Sequence, residues 1–452
     1  MTHYDAVVVG AGQAGPGVAG KLVADGRRVA VVEMADPGGT CLNHGCRPTK
    51  ALRASGMVAH AARRAREFGV HTGEVSVDFG EAIGRVHRII DEMRGSLRHW
   101  ITSTENLDYL EGTATLVTDP TGQAHRVRVG NEELTTSAVY LNVGGRASIP
   151  PIPGLDSVDV LTEVELLALT ALPEHLVVVG GGYIGLEFGQ MFRRFGSEVT
   201  IIAGGGIASR EDPDVSRILT EVLTGEGVRI VPGRPRRVSP SGAGITVEVP
   251  GSEPVLGTHL LVATGRRSNT DLLGPDHGLE LDERGFVVTD SRFATSVPGV
   301  WALGDVNGRG AFTHTAYTDA AIYLAPPRTV EGRVSTYAMF TDPPLGRVGM
   351  TSAEARDSGR TVLRAEVPMS SVSRAKLESE TAGVMRILVD ADTEEFLGAT
   401  ILGLQADDVV QVISMAMQAG VRYPTVRDAL PIHPTVAEFL PSILASLKPL
   451  DG

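Results

Sequence analysis

The run AVVVGAGQAGPGVAGKLVADGRRVAVVE, residues 6–33, can be laid down in only one common way. AVVVG is apolar throughout and short enough for a buried strand, and glycines follow at Gly10, Gly12 and Gly15. A helical stretch comes next, then a second apolar strand, RVAVVE, that ends on Glu33. The glycines make a tight turn and let backbone approach a pyrophosphate, which rests on the helix N-terminus, while the terminal acid accepts from the ribose hydroxyls. The same order returns at 176–203: LVVVG, then GGGYIG with Gly180, Gly182, Tyr183 and Gly185, a helix, and EVTII. Two fingerprints imply two dinucleotides, one held as a flavin and one a diffusing nicotinamide. The copies differ at one point. Gly10 to Glu33 is a step of 23, and the same step from Gly180 lands on Ala203, followed by Gly204, Gly205 and Gly206. The acid that would choose NADH is missing, and Arg210 is the nearest basic candidate for a 2′-phosphate. The choice between NADH and NADPH stays open on these residues.

Outward from the two repeats, LNVGGR (141–146, with Gly144) and LVATGRR (261–267, with Gly265) read as closing strands of the two halves. The layout that follows has a first nucleotide domain at 1–150, a second at 151–267, the first resuming at 268–336 through WALGD and Asp305, and a C-terminal domain at 337–452. The fold class is therefore α/β, with two Rossmann-like dinucleotide-binding domains (FAD and NAD(P)) and a C-terminal α+β domain. Residues 81–103 read as a long helix, and MRILVD, FLGATILG and VVQVISMAMQAG as two strands and a helix near the end. Hydrophobic residues at 42% and charged residues at 21% are those of a globular protein. A net charge of −13 excludes a typical nucleic-acid binder, and no apolar run reaches membrane-spanning length. The expected location is the cytoplasm. Of 41 basic residues only four are lysines, Lys21, Lys50, Lys376 and Lys448.

The two cysteines, Cys41 and Cys46, stand together in GGTCLNHGCRPTK (38–50). A clip across so short a loop removes little unfolded-state entropy and is exposed to cytosolic reductants. Zinc needs four ligands, and Cys41, Cys46 and His44 fall short; no metal site is expected. A redox dithiol fits better. Pro48 belongs in the first turn of a helix running on through TKALRASGMVAHAARRAREFG, which puts Cys46 at its N-terminus, where the thiolate is favoured. Disulfide exchange also needs an acid/base, and IHPTVAEFLPS supplies His433 with Glu438 five residues on, a carboxylate placed to orient the ring.

GGTCLNHGCRPTK, both fingerprints, ATGR, ALGD and HPTVAE occur here in the order found in the flavin-dependent pyridine nucleotide–disulfide oxidoreductases, which the whole chain resembles. GGGYIGLEFGQMFRRFGSEVT and TDPPLGRVGMT look most like the mercuric-reductase-like branch. The resemblance implies FAD on Gly10, Gly12, Gly15, Glu33, Gly39, Thr40 and Gly144, with Asp305 on its ribityl chain. It implies Cys46 as the thiolate facing the flavin and Cys41 as the outer, exchanging thiol. Lys50 would lie near flavin N5 and pair with Glu187, Tyr183 would gate the nicotinamide pocket, and His433 and Glu438 would come from the second subunit of a homodimer joined through residues 341–452, which makes the C-terminal domain a dimerisation domain. Gly180, Gly182, Gly185 and Gly265 would serve NAD(P)H.

The implied activity is electron transfer between NAD(P)H, FAD and the Cys41–Cys46 pair to reduce a small disulfide or soft acceptor. Four rivals stand beside it: oxidation of a dithiol as in dihydrolipoamide dehydrogenase, the same without nicotinamide, reduction of a metal ion, and a non-enzymatic flavin redox sensor. With no further cysteine pair, a dedicated mercury-resistance role is not expected. His44 and Arg47 occupy redox-loop positions where the family usually has small apolar residues, and two positive charges there would stabilise thiolates and raise the pair's potential.

Overall fold

The computed structural model describes residues 1–242 and 244–450. These fold into two units. The first gathers Met1–Pro150, Thr162–Ala171 and Thr264–Glu331, and the second gathers Pro151–Leu161, Leu172–Ala263 and the chain from Gly332 onward.

The first unit is built on a five-stranded parallel sheet in the order Val300–Ala302, Val139–Leu141, Ala6–Val9, Val29–Glu33, Leu107–Glu111. A central parallel strand is covered on both faces, which is why AVVV carries no polar residue. Successive side chains point to opposite faces. Ala6 and Val8 pack with Val18, Ala19 and Leu22 of the helix Gly15–Ala24, whereas Val7 and Val9 pack with Leu116, Val127 and Leu134 of a four-stranded sheet behind. The long helix runs Phe79–Ser103, two residues longer than the periodicity predicts, because the Asp78 side chain caps it by accepting from Glu81 N at 2.9 Å. Thr162–Ala171, which the sequence reading assigns to the second domain, packs with the first unit. Its short helix Glu163–Leu167 carries a buried Glu163 that pairs with Arg266 at 2.6 Å. Such a long-range pair leaves no trace in local sequence.

The second unit holds a parallel sheet in the order Val160–Leu161, His259–Val262, His175–Val179, Glu198–Ala203, Arg229–Pro232. It also holds a six-stranded antiparallel sheet whose centre is Leu345–Gly349, Phe396–Leu402 and Val384–Asp390. The helix Ala406–Gln418 covers that sheet through Val409, Val410 and Ile413. Three buried arginines tie the two sheets together. Arg194 pairs with Glu226 and Asp342, Arg347 with Glu211, and Arg386 with Asp212, Asp214 and Glu366. Each guanidinium is no more than 5% exposed, so its partners rather than water hold its charge.

Candidate active site

The first fingerprint forms a cradle of backbone and acceptors. Gly10 N donates to Val32 O at 2.7 Å, and Gly15 N to the Asn142 Oδ1 at 3.0 Å. A Cβ on Gly15 would lie 2.2 Å from Gly10 O, so only glycine lets this helix start so close to the strand. The Glu33 carboxylate at the strand end accepts from Ala11 N and Ala35 N at 2.8 and 3.0 Å. From the other side, Gly39 faces Gly12: a Cβ on Gly39 would come within 2.9 Å of the Gly12 Cα. Thr40 lies one residue on, 3.4 Å from an Arg266 amino group, and Gly144 turns with a φ of +64°. Asp305 is buried near Arg266 and Cys46, and desolvation pushes its carboxyl up to about 6. Glycine surfaces, a strand-end acid and a buried carboxyl in one unit fit a dinucleotide such as FAD.

The redox loop borders this cradle. Cys41 lies in the short helix Gly39–Asn43 and Cys46 is the first residue of the helix Cys46–Arg64. Both are free thiols. The Asn43 side chain locks the loop, its amide donating to Asp36 O and Gly39 O and its oxygen accepting from Arg94 Nε at 3.0 Å. Cys46 Sγ lies 3.2 Å from the Thr313 hydroxyl. Cys41 is held firmly protonated, first because it hydrogen-bonds to the Cys46 sulfur and then because it is buried. The proton of the pair thus sits on Cys41. Cys41 is 9% exposed, and Cys46 is the more open of the two. Cys46 opens toward Asp305 and Thr313, the cradle side.

His44 and Arg47 are not loop twins. His44 ends the first short helix, half-buried, and burial followed by the Arg94 charge lowers its basicity, so it adds no positive charge at neutral pH. Arg47 is helical, lies against Met93 Sδ at 3.4 Å, and its charge favours the Cys41 thiolate. The two-charge reading is therefore corrected to one charge. Lys50 sits one turn beyond Cys46 in the same helix.

The other predicted residues belong to the second unit, Gly265 excepted, which lies in the first with a φ of +128°. Gly180 N donates to Ile202 O at 2.9 Å as Gly10 does to Val32 O, so Ala203 stands in register with Glu33. Gly185 repeats the Gly15 approach, with a Cβ 2.2 Å from Gly180 O. Gly182 caps the helix Tyr183–Phe195, in which Tyr183 is first and Glu187, 3% exposed, accepts from Phe340 N at 2.9 Å. His433 Nδ1 lies 2.8 Å from Glu438 Oε2, with the ring open to solvent and the carboxylate mostly covered. Among the described residues, no three metal-ligating side chains cluster and no helix is long and apolar enough to cross a membrane.

Sequence reasoning missed Asn142, Asn43 and Thr313. A polar residue ending an apolar strand (Val139–Leu141, then Asn142) was the available signal for the first; its amide also donates to Leu303 O at 2.9 Å. Thr313, 267 positions from Cys46, had none.

Two family models match the chain: pyridine nucleotide-disulphide oxidoreductase over residues 4–320, and the dimerisation domain of the same enzymes over 335–442. Among curated relatives, the probable pyridine nucleotide-disulfide oxidoreductase RclA of Escherichia coli is 34% identical across 99% of this chain and all of its own. The mercuric reductase of Bacillus cereus is 32% identical over 97% of this chain and 70% of its own. The dihydrolipoyl dehydrogenase of Bacillus subtilis is 31% identical over 96% and 94%. A solved structure, the Cu(II) complex of the HOCl-induced flavoprotein disulfide reductase RclA from Escherichia coli, superposes with a TM-score of 0.88 at 33% identity, covering 99% of this chain and 100% of that one.

Proposed function

The chain belongs to the pyridine nucleotide–disulphide oxidoreductases, and from that premise we propose that it uses NAD(P)H to reduce a small disulfide or similarly soft acceptor. The observation that carries this reading is the pair of free thiols at the N-terminus of Cys46–Arg64, with one proton on Cys41 and Thr313 against Cys46. Gly10, Gly12, Gly15, Glu33, Gly39, Thr40, Gly144, Lys50 and Asp305 hold FAD; Gly180, Gly182, Tyr183, Gly185 and Gly265 serve the nicotinamide. Bound FAD supplies the two-electron link between NAD(P)H and the Cys41–Cys46 disulfide.

With the dithiol formed, Cys41 gives its proton to His433 of the partner subunit and its sulfur attacks one sulfur of the acceptor disulfide. The leaving thiolate takes a proton from His433 of the partner subunit, whose ring Glu438 orients. Cys46 then attacks the Cys41 sulfur, the second acceptor thiolate leaves, and the Cys41–Cys46 disulfide closes. Cys41 meets the acceptor by virtue of its place in the short helix, even though it is the more covered thiol. The dimerisation domain supports a homodimer.

The test is an anaerobic titration of the holoenzyme with NADH and with NADPH, wild type against Cys41→Ser. A long-wavelength thiolate-to-flavin band after either nucleotide, present without nucleotide in Cys41→Ser, is the expected result. No flavin reduction by either nucleotide would overturn the reading.

A further inference from the structure

The second fingerprint has lost its ribose-binding acid, and the register above puts Ala203 in that place. What stands beside it is a cation. A Cβ on Gly204, the next residue, would lie 2.4 Å from Arg234 Cγ and 3.3 Å from its Nε. The Arg234 side chain therefore lies across the bare backbone of Gly204, and any larger residue at 204 would displace it. Arg234 comes from two residues past the neighbouring strand Arg229–Pro232, so no reading of the residues after Ala203 would find it.

The surrounding charges leave Arg234 available. Arg236 pairs with Glu248 at 2.8 Å, and Arg193 donates to Glu226 O. Among the described residues, no ion pair holds Arg234, and its side chain is exposed. Glu211, Glu226 and Asp212 are each taken by a buried arginine. The loop bends back so that Ala208 N donates to Gly181 O at 2.8 Å, which brings Ser209 alongside Gly205.

A ribose diol wants an acceptor, and neither Ala203 nor the three glycines has a side chain to offer one. A phosphate monoester wants donors, and a guanidinium presents only donors in a planar fork. We infer that Arg234 binds the 2′-phosphate of NADPH and makes this the preferred nicotinamide. The inference rests on the functional reading above, and it assigns Arg234 in place of Arg210.

The experiment measures binding of adenosine 2′,5′-bisphosphate and adenosine 5′-monophosphate to the oxidised holoenzyme by calorimetry, at one fixed ionic strength. A charge-assisted pair of this kind gives the wild type a preference of about 10- to 100-fold for the bisphosphate. Arg234→Met keeps the stem over Gly204 and is expected to abolish that preference while leaving monophosphate binding unchanged. The ratio of kcat/KM for NADPH over NADH should fall by the same factor, and Arg234→Lys should restore part of both. Equal binding of the two ligands by the wild type overturns the inference. So does an Arg234→Met variant that weakens both alike, the mark of stacking or of a structural role. If Arg234-dependent discrimination is found but neither nucleotide reduces the flavin, the functional reading falls and this assignment stands.

Discussion

At the scale of single residues, the redox centre is governed by what touches two sulfur atoms. The Thr313 hydroxyl is 3.2 Å from Cys46 and also eases ionisation of Cys41. Thr313→Val removes a hydrogen bond of about 1 kcal/mol from the thiolate form, and alkylation of reduced Cys46 by iodoacetamide at pH 7 should slow about fivefold. Unchanged alkylation would show that the hydroxyl turns elsewhere. Arg47→Gln should lower the dithiol potential by about 10–30 mV, because the lost charge had stabilised the reduced, ionisable form. His44→Gln should shift it by far less, since burial keeps that ring neutral. Redox equilibration against a glutathione buffer separates the two. The glycines and cysteines were legible because each acts where it stands in the chain. His44 was misjudged because its charge is set first by burial and then by Arg94, fifty residues away, and neither is local in the sequence.

At the scale of elements, both strand–glycine–helix units could be read from sequence, as could the strands Val384–Asp390 and Phe396–Leu402 and the helix after them. Apolar period and turn residues are local properties, and these elements follow them. The clasp of buried arginines was invisible because Arg194, Arg347 and Arg386 find acids 20 to 174 positions away. Removing Arg386 strands Asp212, which is 6% exposed, as an unpaired buried carboxylate. Arg386→Ala should cost about 3–5 kcal/mol, whereas Arg386→Met combined with Asp212→Leu should recover most of that loss. Urea midpoints for the single and double variants test it. If the double variant is as unstable as the single one, the clasp is worth more than hydrophobic packing of the same volume.

At the scale of the whole molecule, four half-buried histidines, His44, His175, His259 and His277, are held below their ordinary value of 6.5 chiefly by burial. The unfolded chain then binds more protons than the folded one around and below pH 6.5, so stability falls as pH drops from 7.5 to 6, by less than about 1 kcal/mol for each ring. Asp305 acts in the opposite sense between 3.8 and about 6, where the folded chain keeps a proton the unfolded one has lost. Urea midpoints at pH 7.5 and 6.0 should show the fall, and His44→Gln should reduce it. The expectation that His433 serves the dithiol of the other subunit has its own measurement. Co-expressed Cys46→Ser and His433→Ala chains, each inactive, should give heterodimers with about half of wild-type activity per dimer, since one of the two sites escapes both lesions. Heterodimers with no activity would place His433 with its own chain's cysteines.

The path of the chain has a consequence for how the protein is born. It passes between the two units five times, at 150, 161, 171, 263 and 331. Strand Val139–Leu141 is a sheet edge until Val300–Ala302 arrives to pair with it, and the whole parallel sheet of the second unit is translated in between. At about 5–20 residues per second, the ribosome leaves that edge open for about 10–30 s. A nascent chain stalled near residue 320, with Val300–Ala302 still in the exit tunnel, thus carries a bare parallel edge of Val, Tyr and Leu, an invitation to pair with another chain, while the second nucleotide sheet already has all its strands. The later fold is ready first, and chaperone demand should peak just before residue 300 leaves the exit tunnel.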